Sequence, residues 1–139
     1  MSRPSGEVPS RTFKAGDVIF NEGDDAKSEA FLVHEGKVEI RKNLGGKDTL
    51  LRVQGKGELL GELALFMNAP RSATAIAAEP VTLLLIPANR LEAMVRTNHA
   101  LAMAIIKDLS ERMLAAEERA RDAEKRAGEA EGGEGEKNK

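Results

Sequence analysis

The 139 residues, 15.0 kDa, fit one domain with an appendage, since a single core takes roughly 100 to 150 residues. The near balance of 21 Lys+Arg against 23 Asp+Glu leaves no basic excess for a phosphate backbone, and a chain with four Phe and no Trp or Tyr has almost no platform for base stacking. The lack of Cys removes disulfides, thiolate metal sites and cysteine nucleophiles together, no apolar stretch approaches the ~18 to 20 residues of a membrane span, and no basic-then-apolar secretory pattern opens the chain; a cytoplasmic protein partnering neither nucleic acid nor membrane is expected.

Along the chain, the first ten residues, with Pro4, Gly6 and Pro9, are expected to be flexible. Short apolar or alternating runs then sit between turn residues, as successive strands do. They are Arg11 to Lys14, Val18 to Phe20, Phe31 to Val33, Lys37 to Arg41 and Thr49 to Val53, with Gly45-Gly46 separating the last two. Two more, Thr74 to Ala78 and Val81 to Ile86, follow an interruption and meet at Glu79-Pro80. Seven or eight strands at this spacing imply a sandwich or barrel.

Character then changes, because residues 62 to 127 contain no glycine and residues 88 to 127 contain neither Gly nor Pro. Asn89 is expected to cap a first helix through about Asn98, burying Leu91, Met94 and Val95. Asn98 is expected to cap a second of some 29 residues, roughly 43 Å at 1.5 Å per residue. Its apolar positions, Ile106, Leu109, Met113, Ala116, Ala120, Ala123 and Ala127, step by three and four and make a heptad seam. Either the first half packs on the strand domain and the rest is solvated, or the seam pairs two copies in parallel; small alanines bury little area and would keep such a dimer modest. From Gly128 the chain is Gly, Glu and Lys with no apolar residue after Ala130, and residues 128 to 139 read as a disordered tail.

The interruption, residues 57 to 74, carries the chemistry. Arg71 is its only basic residue, and the only one from Gly57 to Asn89. Burying an unpaired arginine in so apolar a stretch costs several kcal/mol, so it meets water or an anion. Glu62 to Phe66 has the propensity for one or two helical turns directly after Gly61, whose lack of a side chain permits close backbone approach. Free amides at such a start favour an anion, and a Glu62 carboxylate accepts well from sugar hydroxyls. A compact phosphate on a ribose would suit this set.

The run Gly61-Glu62-Leu63-Ala64-Leu65, then Pro70-Arg71-Ser72-Ala73-Thr74, resembles the phosphate-binding cassette of the cyclic nucleotide-binding domain family, which includes the catabolite activator protein, protein kinase regulatory subunits and gated channels. Upstream, Lys14 to Phe20 with Glu22-Gly23-Asp24, and Glu35 to Ile40, resemble that family's early strands. The resemblance covers residues 11 to about 113. It implies a mainly β fold with α, an eight-stranded jelly-roll holding a short phosphate-binding helix, followed by two C-terminal helices with the last long. Residues 11 to 113 would be the binding domain and 114 to 127 a charged helical extension. It also implies that Arg71 pairs with the cyclic phosphate and that Glu62 accepts from the ribose 2'-hydroxyl. Backbone amides around Gly61, Glu62, Ser72 and Ala73 would complete the cradle, with Leu63 in the contact set. Ser72 would add a hydroxyl to the phosphate or to a guanine edge, and Ile40 and Leu51 would flank the purine. Two departures stand out. The family's helical material before the first strand is expected to be truncated or absent. Laid ungapped on the catabolite activator protein, Ala116 and Glu117 replace hydroxyl residues that touch adenine, leaving Arg112, Met113 or Glu117 to close over the base.

No catalytic residue, metal or cofactor is expected: His34 and His99 are 65 positions apart and read as surface histidines. Only twelve residues follow Ala127, too few for a helix-turn-helix domain. The expectation is a non-catalytic sensor of cyclic AMP or cyclic GMP that signals through its C-terminal helix to a protein partner or a second copy. The alternative is a ligand-independent scaffold acting through the charged helix.

Overall fold

The computed structural model describes residues 9–137. Eight strands run β1 (Ser10–Phe13), β2 (Val18–Phe20), β3 (Glu29–Glu35), β4 (Val38–Leu44), β5 (Lys47–Gln54), β6 (Leu59–Leu60), β7 (Thr74–Ala77) and β8 (Val81–Pro87). A short helix α1 (Glu62–Met67) interrupts them, and α2 (Ala88–Thr97) and α3 (His99–Lys137) follow. The strands form two four-stranded sheets in the orders β1-β8-β3-β6 and β2-β7-β4-β5. Pairing is antiparallel throughout and couples first with last inward: β1 with β8, β2 with β7, β3 with β6 and β4 with β5. That nesting is what a long hairpin makes when it rolls up, and it is the jelly-roll expected.

Alternation decides which side chains meet between the sheets. Val38 and Ile40 of β4, Ala75 and Ala77 of β7, and Val81 and Leu83 of β8 are all buried, and they cluster with Phe31, Val33, Leu60 and Ala73. Fully burying each large member is worth about 1.5–3 kcal/mol, which fixes strand register, because a one-residue slip would turn the apolar set outward. Between β3 and β4, Gly36 has φ +93°, and a Cβ there would collide with the Pro80 carbonyl and Val81. Only glycine lets those two turns pass.

Several expectations are revised. Residues 1–8 of the expected flexible segment lie outside the described residues, but its last two are bound: the Pro9 carbonyl accepts from the Leu85 amide at 2.8 Å and Ser10 opens β1 opposite Leu84. β6, two residues long, was hidden inside the interruption because two apolar residues have no period to read. Helix α2 starts at Ala88, whose amide donates to the Ser28 carbonyl at 2.9 Å, so Asn89 lies in its first turn and is not its cap. Asn98 does cap α3: its Oδ1 accepts from the Leu101 amide at 3.0 Å. α3 continues through Gly128 to Lys137, beyond the end expected at Ala127. One glycine costs a helix about 1 kcal/mol relative to Ala, too little by itself to stop one.

The chain divides into a compact unit through Ala93 and a second from Met94. In the first, Leu91 of α2 is 1% exposed. In the second, Met103, Ile106, Met113 and Leu114 of α3 are exposed. Among the described residues no helix is long and apolar enough to cross a membrane.

Candidate functional site

The cassette is built around one buried cation. Arg71 is 5% exposed, and its guanidinium reaches three backbone carbonyls: Nη1 donates to Gly61 at 3.0 Å, and Nη2 donates to Ala26 at 3.1 Å and Glu29 at 2.9 Å. Its Cζ stands 4.4 Å from the Phe20 ring centroid and 5.8 Å from that of Phe31, two rings stacked at 6.3 Å. Both arginine distances are within cation–π range. The main chain is stapled to the same loop: the Arg71 amide donates to the Asp24 carbonyl and the Arg71 carbonyl accepts from the Gly23 amide, each at 2.8 Å. The segment 23–29 thus holds Arg71 from both its backbone and its side chain.

Electrostatics around this group are opposed. Burial pulls the Arg71 pKa down from its ordinary value, and the carboxylates of Glu29, Asp24, Asp25 and Glu62, in decreasing order, push it back up. Arginine starts so high that it stays charged. Its Nε–H is buried and has no hydrogen-bond acceptor among the described residues. Native interiors leave few polar groups in that state, and a donor on a cation is among the costliest to strand.

Gly61 makes the arrangement possible. It ends β6 and caps α1 in the left-handed region at φ 74°, and a Cβ on it would strike Arg71 Nη1. Glu62, the first residue of α1, is 1% exposed, an unusual place for a carboxylate and one that sets it in the field of Arg71. At the far end Asn68 closes α1 at φ 48°, and its amide donates to the Leu65 carbonyl at 3.3 Å. Arg71 also lines a cavity of about 380 Å³ together with Arg11, Phe20, Asp24 and Phe31. A second, of about 500 Å³, lies between the 23–28 segment and the back of α1, against Leu65, Asn68 and Ala88.

Among the residues singled out from sequence, Gly61, Glu62 and Arg71 are brought together. Ser72 is exposed and Ala73 is 7% exposed; both lead from Arg71 directly into β7. Leu63 is half-buried in α1. Ile40 is 3% exposed and pairs with Ala75 of β7, while half-buried Leu51 packs against the core cluster. Sequence reasoning missed the 23–29 segment, which supplies two of the three side-chain acceptors of Arg71. Backbone carbonyls leave no mark in side-chain identity, and the only signal was the turn composition of Asn21 to Asp25. His34 and His99 are exposed, and among the described residues no group of three or more His, Asp or Glu is placed to hold a metal ion.

The family model described as the cyclic nucleotide-binding domain matches residues 10–98, and this chain belongs to that family. It is 34% identical over 108 residues to the cyclic AMP receptor protein of Thermus thermophilus, covering 77% of this chain and 50% of that protein. It is 36% identical over 106 residues to the anaerobic regulatory protein of Bacillus subtilis, 75% of this chain and 44% of that one. The solved catabolite activator protein of Thermus thermophilus superposes with a TM-score of 0.65 at 34% identity, over 77% of this chain and 52% of that one. The regulatory domain of Toxoplasma gondii PKA, solved with cAMP, superposes with a TM-score of 0.58 at 29% identity, over 62% of this chain and 33% of that one. The chain thus spans half or less of the length of these two curated relatives.

Proposed function

We propose that this domain is a non-catalytic, cytoplasmic sensor that binds cyclic AMP or cyclic GMP in the cassette and signals through its C-terminal helix. The observation that carries the reading is Arg71: a cation 5% exposed, fixed by three carbonyls, with a buried Nε–H that lacks an acceptor among the described residues. A singly charged phosphate diester supplies both the missing acceptor and the compensating charge. In this reading the amides of Gly61, Glu62, Leu63, Ser72 and Ala73 surround the phosphate, Glu62 accepts from the ribose 2'-hydroxyl, and Ile40 and Leu51 flank the base. Nothing in the set needs a nucleophile or metal, and ligand binding does its work by differential affinity for two arrangements of the protein.

Calorimetric titration of the full chain with cyclic AMP and, separately, cyclic GMP tests this directly, since no Trp is present to report by fluorescence. Micromolar or tighter binding of either, about −8 kcal/mol, is expected. Silence with both, from protein shown to be folded, overturns the reading. Exposed Met103, Ile106, Met113 and Leu114 on α3 favour one addition, a helix face that meets a second copy or a protein partner. If that contact forms equally with and without nucleotide, the scaffold reading replaces the sensor.

A further inference from the structure

We infer that turn 26–29 is a latch released by ligand: Arg71 holds it on the start of α2 in the free protein, and a phosphate at Arg71 loosens it. This rests on the cyclic nucleotide reading above and adds the route by which occupancy leaves the cassette. The Glu29 amide closes the turn by donating to the Ala26 carbonyl at 3.1 Å. Its two central residues, Lys27 and Ser28, have φ 54° and 58°. Positive φ at both central positions is the pattern of a type I′ turn, which suits Asn-Gly, and a residue with a Cβ enters that region only at a cost. Both side chains are exposed, so their burial does not offset that cost.

Other groups must hold the turn closed. The Lys27 amide donates to Asp25 Oδ1 at 2.9 Å. Arg71 does more: Nη2 commits both its hydrogens to the turn, one to the carbonyl at each end, Ala26 at 3.1 Å and Glu29 at 2.9 Å. Between them the Ser28 carbonyl accepts from the amide of Ala88, the first residue of α2, at 2.9 Å. A strained turn is thus gripped at its ends by the cation of the cassette and grips a helix from its middle. It also has room on two sides. Ala26, Ser28 and Ala88 line the cavity of about 500 Å³, and Ala26, Lys27 and Glu29 line the one of about 380 Å³ with Arg71. A segment beside open space moves without displacing close-packed atoms.

Arginine grips a phosphate most firmly side-on, through two parallel N–H bonds. In Arg71 one of these is the buried Nε–H that lacks an acceptor among the described residues. The hydrogen next to it on that edge belongs to Nη2, and the turn already holds both Nη2 hydrogens. A phosphate that takes the pair therefore displaces one carbonyl of the turn, and its charge-assisted bond is the stronger. With one end released, the strain at Lys27 and Ser28 is no longer opposed, the turn opens, and the Ser28 carbonyl leaves the Ala88 amide. A ligand shifts such an equilibrium only by its differential affinity for the two arrangements; here the difference is the second phosphate bond.

The test uses the full chain. Calorimetry establishes which of cyclic AMP and cyclic GMP binds, and amide hydrogen exchange is then read by NMR with and without that nucleotide. In the parent, nucleotide should speed exchange at Ala88 at least about tenfold, whereas Leu85, whose amide donates to the Pro9 carbonyl, should exchange no faster. The double substitution Lys27→Asn with Ser28→Gly installs the pair that the turn favours. It should melt about 4 °C or more above the parent, still bind nucleotide, and show no nucleotide-dependent change at Ala88. Nucleotide that binds the parent without speeding exchange at Ala88 overturns the latch and leaves the cyclic nucleotide reading intact. A double variant that melts no higher, loses binding or keeps the parent's response at Ala88 also overturns it, because the strain of the turn would then not be what the ligand releases. Binding of neither nucleotide to folded parent removes the underlying reading along with it.

Discussion

Replacing Arg71 with Ala should produce two separable losses. Without ligand, truncation strips the donor from three carbonyls, those of Gly61, Ala26 and Glu29, and removes the cation from over Phe20. An unsatisfied buried acceptor costs about 1–3 kcal/mol, but water can enter beside this one, since Arg71 lines a cavity of about 380 Å³. The backbone staples to Gly23 and Asp24 survive, as they do not involve the side chain. The net expectation is about 1–3 kcal/mol of stability, a fall in melting temperature of about 5 °C or more for a domain of this size. With ligand, the loss is that of one partner of a buried charge pair, about 2–5 kcal/mol, or roughly thirtyfold to several thousandfold in Kd. Thermal melts of the free protein and calorimetry with the tighter nucleotide read the two numbers independently. A variant that melts earlier yet binds with unchanged affinity would show that Arg71 is a structural strut for the 23–29 segment, and would refute its role as the phosphate partner.

Substitutions at three further positions probe the rest. Gly61→Ala places a Cβ against Arg71 Nη1 at a residue with φ 74°, so it should both lower the melting temperature and weaken nucleotide binding at least about tenfold; a variant like the parent in both would mean the cassette backbone relaxes freely. For Glu62, the parent should bind a 2'-deoxy cyclic nucleotide about tenfold to a hundredfold more weakly than the ribo form, and Glu62→Ala should erase that difference; its persistence would assign the hydroxyl to another acceptor. Asn98→Ala removes the Oδ1 that accepts from the Leu101 amide and should cost about 1 kcal/mol, read as an earlier loss of helical circular dichroism, while Asn98→Asp should keep the cap. Equal melts for Asn98→Ala and the parent would count against the cap.

How much of this was legible in the sequence depends on the range over which each signal acts. Val38 and Ile40 alternate with Glu39 and Arg41, a period of two that any half-buried strand prints locally, so the strand was readable and its inner face with it. Asn98 was readable as a cap because its hydrogen bond closes within three residues. Asn89 misled for a related reason: the groups that meet the start of α2 come from Ser28, sixty residues away. The length of β4 was underestimated because Lys42, Asn43 and Leu44 are held in the ladder by Thr49, Asp48 and Lys47 opposite, a partner's contribution that no single strand displays.

The cassette divides along the same line. That Arg71 is isolated and therefore needs an anion or water is a statement about composition, available before any fold. That it is 5% exposed and satisfied by carbonyls from Ala26 and Glu29 is a statement about residues more than forty positions away, whose side chains play no part in those bonds. The inner face of β5 went unread because the Leu51 bulge breaks the alternation along that strand. Register supplies the missing fact: once Ile40 is known to be buried, the residue opposite it is placed on the same side of the sheet.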